Sequence, residues 1–429
     1  MKKLFTLLMA ALLCIGASAQ IAQDAYKKWH QNKYSMFIHF GLYSVYGGVY
    51  NGKPVTFGYS EQIQSFAGIF SDWYGDTALE FDPVKFNADE IVALAKEAGM
   101  RSIVITTKHH DGFCLWQTAT TEYSVKNSPW KDGKGDVVRE LRDACEKYGM
   151  KFGVYLSPWD RNAKSYGDSP AYNKLYIAQL TELLTQYGHI DEVWFDGACG
   201  EGENGRKQEY DWSAILRCVE EHQPHAVTAI MGDDVRWVGN EGGVGRETEW
   251  SVTAFTPESY ERAACQNNNL RITGMSKDLG SRELLAKAQE VFWYPSEVDV
   301  SIRPGWFYHS YQDTQVRSLE NLVDIYYKSV GRNSVLLLNI PPDTRGLIHE
   351  IDAARIKELK SYIDETFKTD FIAGRTMLWK ADSQESKEFD VKSGSVFNTV
   401  MIREDIAKGQ RVESFTLEGL YDGQWQKIA

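Results

Sequence analysis

The sequence predicts an α/β fold, a (β/α)₈-like barrel followed by an antiparallel β-sandwich domain, and three observations carry that prediction. Short β-rich runs alternate with amphipathic helical stretches through about residue 340, and repeated strand–helix alternation builds a parallel sheet. No G-x-G-x-x-G turn follows the first strand, which weakens the alternative of a doubly wound sheet. Past Asp364 the texture changes to alternating, turn-rich segments such as Ser395–Arg403 and Arg411–Leu420, the pattern of an antiparallel sheet. Fewer residues remain there than the roughly 100 of a complete two-sheet sandwich, so the second domain is expected to be incomplete at Ala429.

The predicted strands are Met36–Phe40, Ser102–Thr107, Phe152–Leu156, Glu192–Asp196, Val227–Met231 and Val335–Ile340, with a further strand end expected near Val298–Trp306. Between them lie the predicted helices Asp89–Ala98, Asp136–Tyr148, Pro170–Tyr187, Trp212–His222 and Leu319–Val330. Ser169 before Pro170 reads as a helix N-cap, and Gly99, Gly149, Gly188 and Gly331 read as the glycines that end helices.

The chain opens with Lys2 and Lys3, an apolar run from Leu4 to Ile15 and Ala17-Ser-Ala19. That is the form of a secretory leader cut after Ala19, and it predicts export to the periplasm, cell surface or medium. The expected division is a leader at 1–19, a barrel at 20–364 and the start of a β domain at 365–429. The run is too short to span a bilayer, and nothing later reads as a membrane span. Net charge is −12, and it grows more negative once the two leader lysines are gone, which argues against nucleic acid as a partner. Of six cysteines, those at 114, 145, 199, 218 and 265 follow the leader; their scattered spacing is no disulfide framework.

In a parallel barrel the residues just past each strand build the site. Taken in order they are His39, then His109-His110-Asp111, then Tyr155 with Trp159, then Trp194 and Asp196. Alternation along a strand points Trp194 and Asp196 the same way, an acid beside an indole. Consecutive His109 and His110 reach one pocket only if the strand has ended at Lys108, which the Asp-Gly turn favours. Glu241, in the glycine-bounded stretch Trp237-Val-Gly-Asn-Glu241-Gly-Gly243, is a carboxyl that partial desolvation would keep protonated. Glu247, Glu249 and Glu297 are its rivals. Arg303 and Trp306 offer a cation and an indole at a later strand end, and Arg303 serves equally as a buried ion-pair partner. No HExxH or paired-cysteine spacing marks a metal site. A metal-dependent hydrolase built on His109, His110, Asp111 and Asp196 is an alternative that chelation would test.

Four ordered motifs, Phe37-Ile-His39-Phe-Gly41, Thr107-Lys-His-His-Asp-Gly-Phe113, Val193-Trp-Phe-Asp196-Gly and Val335-Leu-Leu-Leu-Asn339, resemble those of the α-L-fucosidases of glycoside hydrolase family 29 over residues 25–345. The resemblance implies a catalytic barrel with a β-sandwich behind it, retaining hydrolysis without cofactor or metal, and fucosylated glycans as partners. By motif it makes Asp196 the nucleophile and has His39, His109, His110, Tyr155 and Trp194 line the fucose pocket. Arg303 and Trp306 are added to the pocket from their place at a strand end. The stretch from Trp237 to Trp250 is more similar to the subfamily acting on α-1,3/1,4-linked fucose, which makes Glu241 the acid/base. A catalytically silent fucose-binding protein is the alternative from another class.

Overall fold

The computed structural model describes residues 29–429 apart from 57–62, 203, 258–262, 373–385, 393, 405–409, 411 and 413, so the leader expected at 1–19 lies outside the described residues. Eight parallel strands form its centre: β1 (Tyr34–Ile38), β2 (Ser102–Lys108), β3 (Lys151–Leu156), β4 (Glu192–Phe195), β5 (Val227–Ile230), β6 (Arg236–Trp237), β7 (Ser296–Ser301) and β8 (Val335–Asn339). They pair in the order β5-β4-β3-β2-β1-β8-β7-β6. A parallel bridge between Ala229 and Val235 joins the two ends of that order and closes the barrel.

Both faces of these strands are buried, as closure under a ring of helices demands. Inward-pointing Phe37, Val104, Tyr155, Trp194, Ala229, Val335 and Leu337 pack together as the barrel's interior. The alternate residues, among them Met36, Ile38, Ile103, Ile105, Val154, Val193, Val298 and Leu336, pack against the surrounding helices. Small residues make room where the interior is crowded: a Cβ on Gly153 would lie 3.0 Å from the Val104 side chain and 3.1 Å from Glu192 Cβ.

The helices of eight or more residues among the described residues are α1 (Ala88–Glu97), α2 (Val137–Tyr148), α3 (Ser169–Gln186), α4 (Trp212–His222), α5 (Ala263–Leu270), α6 (Leu319–Ser329) and α7 (Glu350–Phe367). Asn87, Asp136, Asp168, Asp211 and Ser318 cap α1, α2, α3, α4 and α6, each side chain accepting a backbone N–H of the first turn. The cap of α3 is therefore Asp168; Ser169 is already the helix's first residue, since the aspartate reaches the Ala171 N–H. Gly99, Gly149 and Gly188 adopt the left-handed conformation expected after helices, whereas past α6 that conformation falls on Asn333 (φ 73°) and Gly331 lies within a short 3-10 turn.

Two other elements differ from expectation. The two-residue β6 gives no periodic signal, and α7 runs through Asp364 to Phe367, beyond the point where the barrel was expected to end. In the C-terminal part an antiparallel hairpin, Glu418–Tyr421 with Gln424–Lys427, is present; Ser395–Arg403, expected as a strand, is not one. Cys114, Cys145, Cys199, Cys218 and Cys265 are free thiols. No helix among the described residues is long and apolar enough to cross a membrane.

Candidate active site

Asp196 leaves the end of β4 on the inward phase. Its Oδ2 accepts the Tyr155 phenol at 2.8 Å and its Oδ1 accepts the Ala198 N–H at 2.7 Å, so both oxygens are oriented by donors. His110 Nε2 stands 3.9 Å from Oδ2. Tyr155 comes from β3, one strand over, and its ring stacks on Trp194 at 5.2 Å between centroids.

The paired histidines reach the same space because β2 ends at Lys108, after a register irregularity between Thr106 and Lys108. Lys108 turns outward to Asp160 and Gln179, each 3.0 Å from its Nζ, and the two imidazoles that follow sit 4.1 Å apart. Gly112 completes the turn with φ 82°; a Cβ there would meet Asp160 Oδ1 at 2.4 Å, so only glycine fits.

Hydrogen bonds fix the tautomers of two histidines. Ser157 donates its hydroxyl to the Trp159 carbonyl and therefore receives the His110 Nδ1–H at 2.7 Å, leaving Nε2 toward Asp196. Asn339, at the end of β8, spends its amide hydrogens on Ser301 and the Trp306 carbonyl, so its oxygen accepts the His39 Nδ1–H at 2.9 Å and frees His39 Nε2. Burial pushes His39 down to about 3, and burial first, with repulsion from neighbouring imidazoles or cations, lowers His109 and His110. The three rings are neutral near pH 7. His109 Nδ1 is buried with no partner among the described residues, a polar atom placed to meet a substrate hydroxyl.

Glu241 lies past β6 in a loop shaped by Asn240, whose side chain bonds Val244 O at 2.9 Å and Gly242 N at 3.0 Å. Gly243 (φ 81°) packs so near Ile325 that a Cβ would come within 2.8 Å of its side chain. Burial raises the Glu241 carboxyl and the charge of Asp196 raises it further, against a hydrogen bond from the Trp306 indole. The Trp306 ring lies 5.1 Å from His39. His39, His109, His110, Tyr155, Trp194, Asp196, Glu241 and Trp306 thus gather at one mouth of the barrel.

Arg303 does not join them. Its guanidinium is fully buried outside the barrel, paired with Asp352 at 2.7 Å and Asp313 at 2.9 Å and stacked on Tyr308; of the two uses the sequence allowed, the ion pair is the one adopted. Glu249 is locked between Arg236 and Arg246, which together pull its carboxyl below the usual range despite burial. Glu247 is exposed near Arg332. Glu297, second in β7, points into the barrel floor and accepts the Trp194 indole. Asn339 and Ser157 are functional neighbours that sequence reasoning missed. Asn339 had a signal, a polar residue ending an apolar strand.

His109, His110 and Asp196 each offer a ligand atom within 4.8 Å of the others, close enough to hold a cation. Asp111, the fourth residue of the metal alternative, turns away to the Tyr74 hydroxyl and the Phe113 N–H.

Neutral imidazoles, a carboxylate held by two donors beside a carboxyl raised by burial, and a wall of indoles at the C-terminal mouth of a parallel barrel define a sugar-cleaving barrel enzyme. Comparison narrows the class. The α-L-fucosidase family profile matches residues 16–366. α-L-Fucosidase 1 of Arabidopsis thaliana is 36% identical over 434 residues, 94% of this chain and 78% of the plant protein. A crystal structure of a candidate α-L-fucosidase from Bacteroides ovatus superposes with TM-score 0.83 at 53% identity, covering 94% of this chain and 66% of that one. A Ruminococcus gnavus family 29 fucosidase variant, solved with fucose, superposes with TM-score 0.63 at 29% identity, covering 82% of this chain and 68% of that one. The chain belongs to the α-L-fucosidases, glycoside hydrolase family 29.

Proposed function

We propose that this chain is an exo-acting, retaining α-L-fucosidase in which Asp196 is the nucleophile and Glu241 the acid/base, with terminal α-1,3/1,4-linked fucose of branched glycans as substrate. The observation that carries the reading is the pairing at the barrel mouth: Asp196 is held by two donors, and Glu241, near enough to feel its charge, is biased toward the protonated form. Retaining cleavage needs that asymmetry, with the carboxyl groups about 5–5.5 Å apart.

Asp196 attacks the anomeric carbon while Glu241 protonates the departing glycosidic oxygen; the now ionised Glu241 then takes a proton from water, which hydrolyses the fucosyl-enzyme and restores both groups. His39 Nε2 and His110 Nε2, held as lone-pair acceptors, accept fucose hydroxyls. Tyr155 releases Asp196 Oδ2 as the ester forms. Trp194 and Trp306 give the apolar wall that suits the C5 methyl of fucose. The leader-like start of the sequence supports export. The α-1,3/1,4 preference rests on the likeness of the Trp237–Trp250 stretch.

Incubation with an α-1,2-fucosylated glycan, a branched α-1,3/1,4-fucosylated glycan and an aryl fucoside, followed by NMR of the first-formed sugar, tests the reading. Release of α-fucose, faster from the branched glycan, is expected. β-Fucose would overturn retention, preference for the α-1,2 glycan would overturn the linkage, and binding without release would make the chain a silent fucose-binding protein. Activity is expected to survive prolonged chelation; loss restored by a divalent cation would revive the metal alternative.

A further inference from the structure

Beneath the pocket the barrel interior holds a second pair of acids. Glu192 opens β4 and Glu297 is second in β7; both side chains point inward and are almost wholly buried. Each carboxyl accepts one indole N–H at 2.8 Å: Glu192 Oε2 from Trp29 and Glu297 Oε1 from Trp194. Their remaining oxygens, Glu192 Oε1 and Glu297 Oε2, are buried and meet no donor among the described residues, and the two carboxyl groups are close enough to act on each other. A carboxylate carries no hydrogen, so two neighbouring carboxyls without a donor satisfy these oxygens only if a proton lies between them. A bare pair of charges here would be left uncompensated in a dry interior.

From Glu297 the contacts run upward to chemistry. It anchors the Trp194 indole, Trp194 stacks on Tyr155, and the Tyr155 phenol donates to Asp196. We propose that Glu192 and Glu297 share one proton and that this pair is the positioning group for Trp194, holding the pocket wall and, through Tyr155, the nucleophile in register. The inference rests on the proposed role of Asp196.

Burial pushes Glu192 up to about 7, with Asp191 raising it and Lys151 opposing. Burial, the Glu192 charge and Asp299 push Glu297 well above the usual carboxylate range. The register partners are not ionisable: Glu297 pairs with Val335 and Trp237, and Glu192 with Gly153 and Val227. The folded pair thus keeps its proton to higher pH than the unfolded chain, so folded stability falls as pH rises through that window, and the hold on Trp194 falls with it.

The test compares wild type with Glu297→Gln, which still accepts the indole and donates permanently to Glu192, and with Glu192→Gln as a second isosteric variant. The full chain is labelled with 5-fluorotryptophan, and the Trp194 fluorine resonance is assigned through Trp194→Phe. In wild type the resonance should titrate with alkaline pH, and KM for an aryl fucoside should rise about fivefold over the same range, the worth of one hydrogen bond. In either glutamine variant resonance and KM should stay flat, while kcat keeps the alkaline limb that Glu241 imposes. A wild-type resonance that does not move, or glutamine variants that titrate like wild type, overturns the proposal. Because the fluorine signal needs no turnover, a chain that releases no fucose would refute the functional reading and leave this test intact.

Discussion

The two halves of the barrel are built differently, and each supplies one of the two carboxyls proposed as catalytic. From β1 to β4 every strand is followed by a helix, α1 to α4, and the strands pair in register across several residues. Between β5 and β7 the pattern breaks before it resumes as β7-α6-β8-α7: β5 runs into β6 with no helix between, β6 is two residues long, and a long excursion carrying α5 precedes β7. Asp196 stands in the regular half, where alternation and register decide which way its side chain points. Glu241 stands in the irregular half, positioned by glycines, Asn240 and the edge of Trp306. A nucleophile must be aimed along a fixed line, so a strand end suits it; an acid/base that serves both a leaving oxygen and a water is placed by a loop that can be reshaped for different leaving groups.

The largest effect that could break this division is at Asp196. Replacement by Ala should lower turnover by about 10⁴-fold or more while the thermal midpoint stays near that of wild type. Near-normal fucose release would remove the nucleophile from the regular half. Next comes Glu241→Ala, with a loss of about 10²–10³-fold on natural glycans, within the range of general acid–base catalysis. Aryl fucosides with good leaving groups should lose much less, and added azide should restore part of their rate. If Glu249→Ala showed that leaving-group pattern, the acid would have to move.

Glu249 is instead expected to act on the irregular half as structure. Glu249→Gln leaves Arg236 and Arg246 short of a buried countercharge and should lower unfolding free energy in urea by about 3–5 kcal/mol, with rate per folded molecule unchanged. The smallest effect is a shift in pH profile. Burial and Asp196 hold the Glu241 proton above the ordinary carboxylate range of 4.5, so the alkaline limb of kcat/KM reports its loss. Trp306→Phe removes the hydrogen bond favouring the ionised form, and that limb should move upward by a fraction of a pH unit; a downward move would mean that Trp306 does not face the acid.

The same contrast explains what was legible in the sequence. Strands with β-branched runs, such as Ser102–Lys108, and helices with polar caps declare themselves through period and end chemistry, and the residues at their ends, His39, His109, His110, Tyr155, Trp194 and Asp196, came with them. β6 is too short to have a period, so its place was invisible, and Glu241 could be chosen only from glycines and a neighbouring tryptophan. Arg303 was ambiguous because its partners, Asp313 and Asp352, lie on segments that local pattern does not connect to it. Asn339 was visible as a polar residue ending an apolar strand, but its role was not, because its hydrogen bond to His39 spans 300 positions in the chain.

The central claim is that fucose becomes covalently attached to Asp196, and a mechanism-based label tests it most directly. A 2-deoxy-2-fluorofucosyl fluoride slows both steps and accumulates the intermediate; peptide mass spectrometry of the labelled chain should then find one sugar per molecule on the peptide carrying Asp196, and none in Asp196→Ala. A label on any other carboxylate, or steady turnover with no labelled peptide, would contradict the account.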